Sequence, residues 1–241
     1  MVILRGFIPN ISRQRETAKN FPSKRSFPLP ELVSIIDAIR AELTAKNAVR
    51  DLTLNRSREL IRFCALSIRA IHRHEWDEAA TLLKTAREAA AVMAAALASY
   101  ADLYEAGYTQ DALKELVEAH TLYACVRGEA LPGPADLNVP AAAYLNGLAE
   151  AASELRRFIL DLIRLDRTAE GEPYLAVMDE VYSHLVTMDF PDALTGGLRR
   201  TTDALRGVLE RTRGDLTVAL RQEELQAALA AFERQVTARQ G

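Results

Sequence analysis

Between Glu31 and Ala106 the chain contains neither glycine nor proline, and its apolar residues return every three or four positions. Leu32, Ile35, Ile36, Ile39 and Leu43 form one such run, and Leu60, Ile61, Cys64, Ala65, Ile68 and Ile71 form another. That spacing lines up side chains along one side of a helix and lacks the alternation of a strand. It predicts a helix from about Glu31 to His74 with Pro30 in its first turn, either one unusually long rod or two with a break near Asn47 to Asn55. Trp76 to Glu105 predicts a second helix, stopped by Gly107; alanine on several of its faces permits close approach by neighbours.

The punctuation then becomes denser. Thr109 to Arg127 predicts a third helix, ended by Gly128 and the turn Leu131-Pro132-Gly133-Pro134. Val139 to Arg167 predicts a fourth, with Leu145, Leu148, Ala152, Leu155, Ile159 and Leu162 on one stripe. Pro173 opens a fifth to about Met188, Pro191 and Asp192 open a sixth running past Gly207 to Arg213, and Gln222 to Arg239 forms a seventh. No stretch alternates as a strand and no repeat of fixed period appears, so the expected fold class is all-α without a sheet.

Composition narrows the class. A chain of 241 residues with 49% hydrophobic residues can bury a full core as one large domain. Its longest apolar run, from Ala89 to Leu97, falls far short of the roughly 20 residues a membrane-spanning helix needs, so no membrane partner is expected. The apolar start of the chain breaks at Pro9 without a small-residue cleavage site, which argues against a secretory signal and for a cytoplasmic protein. Cys64 and Cys125 are too few and too isolated for a disulfide framework or a zinc site and read as small buried hydrophobes. The net charge of −3 hides an asymmetry: six basic residues face Glu16 alone in the first 25, giving +5 there and −8 in the rest. With Pro9, Pro22, Pro28 and Pro30, residues 1–30 read as a basic arm, either a phosphate-touching extension or a poorly ordered tail, before a single helical domain at 31–241.

Candidate chemistry rests on four carboxylates, because no histidine cluster, phosphate-cradling glycine loop or cysteine ligand set is present. Glu115 and Glu118 are spaced i,i+3, and Glu150 and Glu154 are spaced i,i+4, so each pair shares a helix face where both can reach one hard cation such as Mg²⁺. The plain alternative is a solvated outer face. Glu150 and Glu154 lie nearly opposite the Leu148, Leu155, Ile159 stripe, and Glu115 and Glu118 nearly opposite Leu113, Leu116 and Val117. A di-iron bundle would want Glu-x-x-His partners, but His120 follows Glu118 by only two residues. His72 and His74, in a basic stretch near a helix end, read as surface or capping groups.

The block Tyr144 to Arg157 resembles the translin family, whose members carry a tyrosine-leucine-x-glycine segment followed by glutamate-leucine-x-arginine; Gly147, Glu154, Leu155 and Arg157 stand at those places. Glu150, and the set Glu115, Glu118, Ala119, are similar to the acids of the family's catalytic partner subunit, translin-associated factor X, so the chain resembles the single-subunit archaeal members that carry the full acid set. Arg69, His72 and Arg73 agree with the same pattern, as does Leu198-Arg199-Arg200-Thr201-Thr202-Asp203-Ala204-Leu205-Arg206, and the likeness runs from about residue 31 to 220. Asp161 departs from it where an asparagine is usual, and the first 30 residues match nothing in it.

What the resemblance implies is a seven-helix bundle assembled into a hollow homo-oligomer, commonly an octamer, that cleaves single-stranded RNA inside. Glu115, Glu118, Glu150 and Glu154 are then the catalytic set and the ligands of Mg²⁺ or Mn²⁺, with one of them open to a role as general base. Arg69, Arg73, Arg199, Arg200 and Arg206 are the nucleic-acid-binding candidates, against a reading as ordinary surface charge. Tyr104, Tyr108 and Tyr123 are candidates for base stacking, though core packing suits each better. Two rivals stand beside the nuclease: a non-catalytic oligomer binding single-stranded RNA or DNA, and a helical scaffold.

Overall fold

The computed structural model describes residues 29–240. The basic arm at residues 1–28 lies outside the described residues, while Leu29 and Pro30 already belong to the first helix, α1, at Leu29–His72. It is followed by α2 at Trp76–Ala96, α3 at Ala101–Tyr104, α4 at Gly107–Arg127, α5 at Pro134–Leu137 and α6 at Ala141–Arg164. After a 3₁₀ turn at Thr168–Gly171 come α7 at Glu172–Leu185, α8 at Asp192–Thr195 and α9 at Leu198–Gln240. No strand occurs among the described residues, and no helix there is long and apolar enough to cross a membrane.

The structure selects one of the two alternatives left open for the first helix and differs from the expectation at the second helix and at the last two. α1 is one continuous rod of 44 residues; in its middle the Thr53 hydroxyl donates to the Val49 carbonyl at 2.8 Å, and the buried Ser57 hydroxyl donates to the Met93 sulfur of α2 at 3.4 Å. The second helix stops at Ala96 instead of Glu105, because Leu97 and Leu103 both bury their side chains and the backbone must turn between them. The expected sixth and seventh helices are one 43-residue helix, α9; neither Gly207 nor Gly214 interrupts it. The chain breaks earlier, at Gly196 and Gly197, whose φ values of 60° and 83° lie where a side chain is strained.

The described residues fall into two units, with the boundary between Ala45 and Lys46 inside α1. The described part of the first unit is helix whose apolar residues Leu32, Ile36, Ile39 and Leu43 are exposed. The second unit holds the core in three patches. Leu60, Cys64, Leu83, Met93, Leu113 and Leu116 join α1, α2 and α4. Ile71, Leu122, Leu155, Ile159, Met178 and Leu209 join α1, α4, α6, α7 and α9, and Ala149, Ala152, Val181, Leu185 and Leu205 fill the space between α6, α7 and α9. α6 is therefore packed on several sides, and each fully buried Leu or Ile in these patches contributes on the order of 1.5–3 kcal/mol.

Candidate metal centre

α6 packs against α4, α7 and α9, and its Glu150 and Glu154 side chains are half-buried, whereas Asp161 near its end is more exposed and pairs with Arg164. Glu115 and Glu118 on α4 and Glu150 on α6 are each half-buried, and one carboxylate oxygen from each lies within 4.8 Å of the other two. Gly147 sets this approach. A β-carbon there would sit 2.6 Å from both the Lys114 carbonyl oxygen and the Val117 Cβ, so only glycine lets α6 press this close to α4. The helical spacing that groups the acids on each helix thus becomes a cluster only through one missing side chain on α6.

The cluster is electrostatically uncomfortable without a cation. Burial pushes the Glu118 carboxyl up to about 8, helped by the charges of Glu115, Glu150 and Glu154 and opposed by Lys114. Burial, then Glu150, raises Glu115 as well. Lys114 donates to Glu150 Oε1 at 2.8 Å. Burial works against the Lys114 charge, yet the hydrogen bond and charge of Glu150 outweigh it and raise its pKa. Cys64 faces the same place from α1, but burial and then the charges of Glu115 and Glu118 hold its thiol protonated, so it offers no thiolate ligand. Only oxygen donors converge, which suits a hard cation of the Mg²⁺ or Mn²⁺ kind.

Glu154 stands apart from this trio. Its Oε1 accepts a hydrogen bond from His72 Nε2 at 2.7 Å, while its charge still acts on Glu118. This corrects the reading of His72 as a surface or capping group: its side chain is 3% exposed and bonded across 82 residues of sequence. A trace was present in the sequence, since Cys64, Ile68 and His72 recur every fourth residue on the face of α1 that turns inward. His74 stacks edge-on against Trp76 and Phe158. His120, two residues beyond Glu118 and so about 200° round the helix, lines a different cavity, where burial and Arg87 push it down to about 4.

Beside the acids runs a groove of about 500 Å³ lined by Lys114, Glu150, Asn146, Arg200 and Thr201, among others. Asn146 shapes it. Its amide donates to the carbonyls of Ala142 and Thr195, at 2.9 and 2.8 Å, and accepts from the Thr201 hydroxyl at 2.7 Å, tying α8 and the start of α9 to α6. Of the five arginines singled out, Arg200 alone lines this groove. Arg199 lines a larger cavity near Phe190, and Arg69 and Arg206 are exposed. Arg73 is already paired with Glu75 at 2.6 Å. Tyr104 and Tyr123 pack against the core, and the Tyr108 hydroxyl is buried.

The molecule so far is an all-helical protein carrying a half-buried carboxylate cluster at the edge of a polar groove. No family profile matches the sequence. An uncharacterised protein of Methanocaldococcus jannaschii, MJ0175, is 33% identical over 189 residues, which span 78% of this chain and 83% of that protein. The structures of AfC3PO, solved alone and in a complex with duplex RNA, are 34% identical in sequence, cover 78% of this chain and 97% of theirs, and superpose with TM-scores of 0.69 and 0.68. Apo-NeC3PO, at 18% identity over 76% of this chain and 96% of its own, shares the fold with a TM-score of 0.69. The chain belongs to the translin/C3PO family.

Proposed function

We propose that this chain is a divalent-metal-dependent endoribonuclease that cleaves single-stranded RNA within a cytoplasmic homo-oligomer of the hollow, octameric kind. The observation that carries the reading is the cluster of Glu115, Glu118 and Glu150, three oxygens within 4.8 Å of one another on two helices. Such a concentration of like charge, with Glu118 pushed up to about 8, favours a cation at that spot. The AfC3PO complex with duplex RNA supports an RNA ligand, and it makes duplex RNA a control to run beside single strands, with single-stranded DNA as a further one.

Glu115, Glu118 and Glu150 would hold the ion, and Glu154 flanks them. A divalent ion bound there supplies charge neutralisation at the phosphodiester and lowers the pKa of water. The chain's own groups do the rest. Lys114 and Arg200, on the groove beside Glu150, contact the phosphates of the strand. Arg199, Arg206 and Arg69 extend the positive surface for the remainder of the strand, and Arg73 joins them only by leaving Glu75.

The test is cleavage of end-labelled RNA by purified protein with Mg²⁺, with Mn²⁺ and with EDTA. Metal-dependent cutting that Glu118→Gln abolishes, with RNA binding kept, is expected; equal cutting by wild type and variant sinks the site. One observation favours a second reading, a non-catalytic RNA-binding oligomer: Lys114 already neutralises Glu150 without any metal. Tight RNA binding with no cutting under any metal would select it.

A further inference from the structure

Resting on the nuclease reading, we propose that the four acids divide the work: Glu115, Glu118 and Glu150 hold the cation, while Glu154 is the general base, held in position by His72. The spacing in sequence treats Glu150 and Glu154 as equivalents, one turn apart on α6. The structure does not. Glu150 belongs to the set of oxygens lying within 4.8 Å of one another, and Glu154 does not.

The two carboxylates also differ in what holds them. Glu150 is met by Lys114, a flexible ammonium whose four-carbon stem can swing toward a phosphate and release the oxygen. Glu154 is met by an imidazole that cannot swing away, because His72 sits in the last turn of α1 with its side chain 3% exposed. His72 Nδ1 is buried without a hydrogen-bond partner among the described residues, so Nε2 to Glu154 is the contact that ring makes. A carboxylate with one oxygen tied to an N–H donor is held in orientation while its second oxygen stays open to other partners. Glu154 remains 29% exposed, so water reaches it.

The chemical step follows. A water oxygen attacks phosphorus as one of its O–H bonds breaks and the proton passes to the free oxygen of Glu154. The P–O bond to the departing ribose oxygen breaks, that oxygen takes a proton from solvent water, and Glu154 returns its own proton to solvent. His72 acts through Glu154 and is a positioning residue.

The experiment pairs Mn²⁺ binding by calorimetry with cleavage kinetics on a single-stranded RNA, using the full chain and four variants. Glu154→Gln is expected to bind Mn²⁺ within about threefold of wild type but to cut about 100-fold or more slowly, the usual weight of a general base, whereas Glu118→Gln loses both. His72→Leu is expected to lower kcat by about tenfold or more at unchanged KM and Mn²⁺ affinity. His72→Gln, whose amide N–H replaces the ring donor, should recover most of that loss; it also serves should the Leu variant fold poorly. Loss of Mn²⁺ binding in Glu154→Gln equal to that in Glu118→Gln overturns the division of the acids. Equal rates in folded Leu and Gln variants overturn the positioning role of His72. Wild-type protein that binds Mn²⁺ but cuts no RNA overturns the nuclease reading and with it the proton transfer, while the Mn²⁺ comparison still decides which acids hold the ion.

Discussion

Glu118 sits where its charge is least welcome, and that tension gives a stability prediction. Folding raises its pKa from 4.5 to about 8, through burial first and neighbouring carboxylates second. A group that binds its proton more tightly when folded stabilises the fold fully below its unfolded value, and that contribution is lost as pH rises through the folded one. Metal-free wild type should therefore lose melting temperature between about pH 5 and pH 8 in EDTA, and Glu118→Gln should flatten the loss and melt several degrees higher at pH 8. Mn²⁺ should reverse the order at pH 8, stabilising wild type and leaving the variant unmoved, because the ion binds only the deprotonated carboxylate. A variant no more stable than wild type in EDTA would remove the conflict from the account. At this scale the sequence shows the acids but not their partners. The i,i+3 and i,i+4 spacings are local and legible, whereas His72 reaches Glu154 across 82 residues and Lys114 reaches Glu150 across 36, pairings that exist only once α1, α4 and α6 are packed.

The α4–α6 pair converts those spacings into a site, and Gly147 governs their separation. Gly147→Ala places a methyl carbon 2.6 Å from backbone that cannot swing aside, so α6 must shift away from α4. The expected cost is about 1–3 kcal/mol in urea unfolding, the usual penalty of overpacking, together with weakened Mn²⁺ binding because Glu150 moves with α6. Undiminished Mn²⁺ affinity in a destabilised variant would mean that the cluster does not depend on this approach. Asn146 is the companion case on the same helix: Asn146→Leu leaves the Thr201 hydroxyl and the Thr195 carbonyl without their partner. It should cost about 1–3 kcal/mol and weaken RNA binding more than Mn²⁺ binding, since Arg200 lies next to the freed Thr201. Helix identity was readable because apolar periodicity is a local property. The ends were less legible, where tertiary contacts decide them: the expected stop at Arg213 before a separate helix from Gln222 does not occur, and Leu209, Thr212 and Leu216 are buried along one continuous α9.

At the scale of the whole molecule, exposed apolar stripes bear on the proposed homo-oligomer. In α1, Leu32, Ile36, Ile39 and Leu43 recur at alternating spacings of four and three and remain 45–57% exposed. That spacing is the a/d repeat by which two helices pair, and pairing would remove this apolar stripe from water. In α9, Leu225, Leu229, Phe232 and Val236 repeat the same spacing, also exposed. Two such stripes support an oligomer built by helix pairing between copies. Ile36→Lys combined with Ile39→Lys puts a charge on adjacent positions of the stripe and should lower the mass measured by light scattering. The residues buried in the core patches lie elsewhere, so the melting of the remaining fold should stay within the small range of surface substitutions. Because Glu115, Glu118, Glu150, Glu154 and His72 all come from one chain, Mn²⁺ binding should survive dissociation, whereas affinity for a long RNA should fall as strand contacts from neighbouring copies are lost. An unchanged mass in the double variant would place the interface away from α1. A fall in Mn²⁺ affinity alongside the mass would show instead that a second copy completes the metal centre.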